Sequence, residues 1–210
     1  MDAQKPRDPM NLFVSLERIH TSDVPKIDPV DPRLVTKIKK LGEGGQGIAY
    51  SATYPGVNGE LAAKYLRPQA LQNPKVVQET EQEVAFMRTL THPNCHQLIG
   101  ATLRPEICLL SEICPMGSIF DYYTAKLMPT GKRFDEQTAR RLALESASGL
   151  EFIHNLRFMH RDIKSLNVFL SSAMTAKVAD FGMATADPTS TEPAGTVQWM
   201  APEVRFALRV

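Results

Sequence analysis

The 210-residue chain carries a formal net charge of +1 at pH 7, with 43% hydrophobic and 22% charged residues, an ordinary globular composition. So even a balance gives no broad electrostatic case for nucleic acid or an acidic membrane surface as partner. The three cysteines, Cys95, Cys108 and Cys114, are odd in number and lack paired CxxC spacing, which argues against a disulfide framework or a zinc site and suits a reducing compartment.

The N-terminus, MDAQKPRDPMNLF, has no apolar core of the kind a secretory signal needs, and no apolar run approaches the ~20 residues that span a bilayer. A soluble, cytoplasmic protein without a membrane segment is expected. Pro6, Pro9, Pro25, Pro29 and Pro32 crowd the first 32 residues, so residues 1–33 read as a loosely ordered extension. From Leu34 the pattern changes. LVTKIKKL alternates apolar and charged residues, a strand signature. IAYSATYPG and ELAAKYL predict two more strands around the turn signal PGVNG. KVVQETEQEVAFMRTL has helical spacing, with Val77, Val84, Met87 and Leu90 on one face. HQLIGATL and EICLLSEI predict two further strands.

After Gly117 the pattern turns helical. Ser118 is placed to cap a short helix through Lys126, MPTGKRF reads as a loop, and Asp135 is placed to cap a longer helix reaching about Leu156. That helix puts Leu142, Ser146, Leu150 and Ile153 on one side. Two short strand-like pieces, NVFL and AKVAD, follow. Residues 182–197 are small, polar and Pro-containing, which predicts a mobile loop. The fold class expected is α+β, in two lobes: a β-rich lobe over residues 34–114 with one main helix, then a helical lobe over residues 115–210.

LGEGGQGIAY places Gly42, Gly44 and Gly47 in a G-x-G-x-x-G pattern. A dinucleotide-binding turn would need a helix next, whereas a strand follows here. Glycines in a hairpin let backbone N–H groups approach phosphate oxygens; they also serve any tight turn. Lys64 lies in the third strand, and Glu79, Glu81 and Glu83 line the helix after it. Glu83 is the best placed to pair with Lys64, because the apolar face of Val84 and Met87 turns it toward the sheet. A lysine on phosphates with a glutamate holding it is one arrangement for phosphoryl transfer.

HRDIKSLN, from His160 to Asn167, is followed by DFG at Asp180–Gly182 and APE at Ala201–Glu203. With the glycine turn and Lys64 upstream, this ordered set resembles the eukaryotic protein kinase family. The resemblance implies an ATP-dependent, Mg2+-requiring transferase acting on protein hydroxyls. By resemblance, Asp162 orients or accepts the proton of the substrate hydroxyl, Asn167 and Asp180 hold Mg2+, Lys64 grips the α- and β-phosphates, and Lys164 reaches the γ-phosphate. Lys164 and Thr196, in GTVQWMAPE, match Ser/Thr rather than Tyr kinases, and the WMAPE and hinge segments resemble the tyrosine-kinase-like group of Ser/Thr kinases.

The same resemblance puts Leu41 and Ala62 in the ATP site and presses Ala49 and Phe169 on opposite faces of the base, with hinge hydrogen bonds from the backbone of Glu112–Cys114 and Ser111 as a small gatekeeper. Cys114 is expected to be a packing thiol. Ala49 stands where the family usually has valine and Phe169 where it has leucine, so one face of the base is lined by a smaller residue and the other by a larger one. Met87, Leu98, His160 and Phe181 match an internal stack that aligns the two lobes. Thr189, Ser190 and Thr191 are candidates for phosphorylation by an upstream kinase, with Arg161 as phosphate partner. The chain ends seven residues past Glu203, where the family continues into further helices; a C-terminally truncated kinase domain is therefore expected. The alternative is a kinase-like fragment that binds nucleotide or protein partners without catalysis.

Overall fold

In the computed structural model, residues 29–44, 47–103, 106–187 and 194–207 are described. Residues 1–28 and the candidate phosphosites Thr189, Ser190 and Thr191 lie outside them. The five segments expected as strands form β1 (Thr36–Glu43), β2 (Gly47–Thr53), β3 (Leu61–Leu66), β4 (Leu98–Thr102) and β5 (Cys108–Glu112), one antiparallel sheet in the order β1-β2-β3-β5-β4. β1 starts two residues later than its pattern suggested, because Pro32–Leu34 form a 3-10 turn capped by Asp31. All eight β1 residues are exposed, as befits an edge strand beside an open cleft. Lys37 lies over the rings of Tyr65 and Tyr50, 3.8 and 5.0 Å from their centroids, a cation–π arrangement that uses a charge to cover apolar surface.

The folded unit begins before Leu34. Val30 is 2% exposed and its N–H donates to the Ala101 carbonyl at 3.2 Å. Val30 thus docks on the outer edge of β4, the last strand in the sheet order.

Asn73 caps the main helix of this lobe through its side chain on the Lys75 amide, and Pro74 opens it. A short helix, α1 (Pro68–Leu71), precedes this one, α2 (Pro74–Thr89). α2 buries Glu83, Val84, Phe86 and Met87. Val84, Phe86 and Met87 join Leu66, Leu98, Leu109, Ile153, Phe158, Val178 and Phe181 in one core that crosses from sheet to helical lobe. Beyond Gly117, Ser118 and Asp121 form a reciprocal capping box at the start of α3 (Ile119–Tyr122), which runs on as a π-turn to Leu127. MPT, read as loop, makes one 3-10 turn.

Asp135 caps α4 (Glu136–Asn155), as its position implied, through the Thr138 amide. Leu142 and Ile153 on its inner face are buried. β6 (Val168–Leu170) and β7 (Ala176–Val178) form a hairpin, and the segment after α2 extends it. There the Val178 N–H donates to the Asn94 carbonyl and the His96 N–H to the Val178 carbonyl, each at 2.8 Å. α4 lies so close to this segment that a Cβ on Gly149 would sit 2.4 Å from the Asn94 oxygen. The chain closes, among its described residues, with α5 (Pro202–Ala207). No described helix is long and apolar enough to cross a membrane.

Candidate active site

Gly42, Gly44, Gly47, Ala49, Lys64 and Asp180 line one cleft of about 350 Å3, together with Glu43. The glycines differ in what they do. A Cβ on Gly47 would meet the Tyr65 carbonyl oxygen at 2.5 Å, so that glycine permits β2 to lie against β3. Gly42 and Gly44 have open space where a side chain would stand, leaving their backbone accessible from the cleft. Glu43 would place a negative charge beside any bound phosphate, but it pairs with Arg67 and Lys40.

β3 carries Lys64 to the cleft, and α2 carries Glu83 to meet it. Their charged atoms stand 3.5 Å apart, with the Glu83 side chain 9% exposed and Lys64 41% exposed. The glutamate is thus fixed by burial while the lysine remains open to the cleft.

A second cluster forms on the loop between α4 and β6. Asp162 is 6% exposed. Its carboxylate accepts from Lys164 Nζ at 2.6 Å, Thr196 Oγ1 at 2.7 Å and Asn167 Nδ2 at 3.0 Å. Lys164 Nζ also donates to Thr196 Oγ1 at 2.8 Å, and Asn167 Nδ2 to the Asp162 carbonyl at 2.9 Å. Burial pushes the Asp162 pKa up, but hydrogen bonds from Lys164, Thr196 and Asn167 outweigh it and hold the carboxyl below the usual carboxylate value. The Ala179 N–H donates to the Asn167 carbonyl at 2.9 Å, which sets Asp180 next to this cluster. Asp180 is exposed and has a left-handed backbone, φ 63°, a conformation that aspartate tolerates better than most residues.

The stack expected between the lobes is present as buried neighbours. Met87, Leu98, His160 and Phe181 are each 5% exposed or less. The Phe181 ring lies 5.3 Å from those of both Phe86 and His160. His160 Nε2 donates to the Ala179 carbonyl at 3.0 Å, and its Nδ1 accepts the Asp162 N–H at 3.3 Å, so one neutral tautomer satisfies both bonds.

Burial lowers the pKa of His92, His96 and His160 from the ordinary histidine value. The unfolded chain titrates these groups near 6.5, the folded chain lower. As pH falls through about 6.5 the unfolded state binds more protons, and stability must drop. The melting temperature is expected to be level above about pH 7.5 and to decline as pH falls from 6.5 toward 5. A melting temperature that rises over that interval would exclude buried neutral imidazoles.

The segment read as a mobile loop is tied at both described ends. Met159 and Thr185 exchange two backbone hydrogen bonds of 2.8 and 3.0 Å, and Val197–Trp199 form a 3-10 turn. Arg161 donates Nε to the Met183 carbonyl at 2.7 Å.

At the hinge, Cys114 is half-buried with its thiol pKa pushed up to about 12 by burial, the state of an unreactive packing thiol. Phe169 takes the space of its larger ring against His96, edge-on, with centroids 5.4 Å apart. Ala62 pairs with Ser111 in the sheet, and Leu41 is 46% exposed on β1.

Two further residues are missing from the sequence reading. Gly195, with φ +103°, would bring a Cβ within 2.5 Å of the Arg161 carbonyl oxygen, so glycine at that position lets Thr196 reach Asp162. The signal was present, as the glycine directly before Thr196. His96 bonds the Glu112 carbonyl at 2.9 Å, and no local pattern announces a contact across 16 residues.

Comparison with known proteins agrees with this arrangement. The protein kinase domain family matches residues 35–205. The chain is 35% identical over 179 residues to the serine/threonine-protein kinase STY17 of Arabidopsis thaliana, covering 83% of this chain and 30% of that protein. It is 36% identical over 169 residues to STY46 of the same plant, covering 79% and 28%. To the mouse serine/threonine-protein kinase A-Raf it is 30% identical over 182 residues, covering 83% and 29%. The chain thus spans less than a third of the length of these relatives.

Proposed function

The chain belongs to the protein kinase domain family, and from that premise we propose that it transfers the γ-phosphate of ATP to serine and threonine hydroxyls of proteins. The observation that supports this most is the Asp162 carboxylate, held by Lys164, Thr196 and Asn167 beside a cleft lined by glycines, Lys64 and Asp180. Phosphoryl transfer asks a protein for positioning and charge neutralisation more than for covalent chemistry. Asp162 orients the hydroxyl and takes its proton late, when the oxygen has already begun to bond phosphorus, because a carboxyl of lowered pKa is a weak base. Lys64 steadies the phosphates and Lys164 meets the charge on the transferring group.

Mg2+ suits the residues at hand. Asn167 commits its amide nitrogen to Asp162, which leaves the amide oxygen as a hard donor, and the Asp180 carboxylate lines the cleft. A cation that keeps water and phosphate oxygens as ligands needs only one or two protein oxygens, so it does not require the cluster of three or more acidic, His or Cys residues that is absent among the described residues. When bound, the ion neutralises phosphate charge. Leu41, Gly42, Gly44, Gly47, Ala49, Ala62, Glu112, Cys114 and Phe169 would receive the nucleotide, with the base toward Glu112–Cys114. An intracellular location goes with this reading, as does control by an upstream kinase acting on Thr189, Ser190 or Thr191.

The test is a thermal melt of the 210-residue chain with and without Mg-ATP. Ligand at 100 times its Kd should stabilise the native state by about 2.7 kcal/mol, and Lys64→Met should shrink that shift. Phosphotransfer from labelled ATP should then appear on Ser and Thr peptides and not on Tyr peptides. A cooperative melt that Mg-ATP leaves unmoved would remove the proposal.

A further inference from the structure

Glu112 closes β5 and is fixed in every polar group it has. Its N–H donates to the Gln97 carbonyl at 3.0 Å. Its carboxylate accepts the Gln97 N–H at 2.9 Å and pairs with Lys177 Nζ at 2.9 Å. Its carbonyl oxygen lies 2.9 Å from His96 Nε2. A carbonyl has no hydrogen to give, so Nε2 must be protonated and be the donor. His96 is 8% exposed, and its ring stands edge-on to Phe169, with an interplanar angle of 84°. His96 thus touches both the Glu112 carbonyl and the Phe169 ring.

On the reading of the cleft as a nucleotide site, we infer that His96 sets its base selectivity, by keeping the Glu112 carbonyl hydrogen-bonded whichever purine is bound. The physical reason is an asymmetry. A hydrogen bond gained from a 6-amino group adds little, because that group leaves water to make it. A buried acceptor left with no partner is costly, and this cost is what usually rejects a base lacking the amino group. Here the carbonyl is never left without a donor. One lone pair accepts Nε2–H permanently; the other can accept a 6-amino group or go without. Selectivity for the 6-amino purine is therefore relaxed at this hinge. Burial keeps the imidazole neutral, and Glu112, Lys177 and Lys64 are the charges that face it, so its single proton stays committed to this bond.

The experiment compares equilibrium binding of Mg-ATP and of Mg-purine riboside 5′-triphosphate, which carries hydrogen at position 6, to the full 210-residue chain. The wild type is expected to bind the two within about threefold of each other. His96→Leu keeps the bulk and removes the donor; it should widen the preference for ATP about tenfold. His96→Gln, whose amide nitrogen stands near the place of Nε2, should restore the wild-type ratio. A histidine that only supported the fold would weaken both nucleotides together and leave the ratio unchanged, which would overturn the inference. So would a wild type that already prefers ATP by more than about tenfold, a measurement that does not depend on the variants folding. Binding of neither nucleotide by the folded wild type would remove the nucleotide site itself, and this inference with it. Binding of Mg-ATP with an unchanged ratio in His96→Leu would remove the inference alone.

Discussion

Replacing Asp162 by asparagine is expected to lower the phosphotransfer rate by about 10²–10⁴-fold, the usual contribution of a positioned acid–base group, while Mg-ATP binding changes little. The geometry separates these effects. Asp162 takes hydrogen bonds from Lys164, Thr196 and Asn167, none of which belongs to the glycine-lined wall of the cleft. Asparagine keeps the shape but loses the negative charge that holds Lys164 Nζ at 2.6 Å, and it cannot accept the hydroxyl proton. The charge matters across a wide pH range. Because the folded carboxyl titrates below its ordinary value, it stays ionised throughout the neutral and mildly acidic range. Its contribution to stability is likewise present above the unfolded carboxylate value and lost as pH falls through the lowered one. Single-turnover phosphotransfer beside a nucleotide titration would check both halves. Equal rates in Asp162→Asn and wild type would strip Asp162 of its role.

Phe181→Ala is expected to destabilise the chain by about 3–5 kcal/mol, the range for deleting a buried aromatic ring. Phe181 is 1% exposed. It packs against Phe86 at 73°, and Phe86 in turn lies 4.3 Å from Phe158. These rings belong to the core that joins α2 to the helical lobe, so the cavity would open where the lobes meet. A loss of this size is a large share of the ~5–15 kcal/mol that holds a typical domain folded. It would also loosen Glu83 on α2 and Asp180 on the neighbouring residue, so the response to Mg-ATP should shrink with it. Phe181→Leu, which conserves most of the volume, should cost less than half as much. Denaturant unfolding of the three proteins measures this directly; a change below ~1 kcal/mol in Phe181→Ala would mean the cavity collapses without penalty.

The sequence by itself determined the elements that depend on neighbours along the chain. β1 follows alternation, β2 to β5 follow apolar runs set between turn signals, α2 and α4 follow helical spacing, and the start of α4 follows Asp135, because a cap satisfies amides only two or three residues away. It also determined the set of chemical groups: the order of the glycines, Lys64, HRD, Asn167 and DFG carried the family resemblance before any coordinate, and even the pairing of Lys64 with Glu83 was legible from which helical face was apolar. Tertiary structure alone decided what depends on distant residues meeting. The docking of Val30 on β4, the closure of Gly195 over Arg161, and the hydrogen bond from His96 to Glu112 join segments separated by 71, 34 and 16 residues. Nothing in a local pattern encodes such contacts, because they exist only once burial has removed water as the competing partner and each polar atom must find another donor or acceptor.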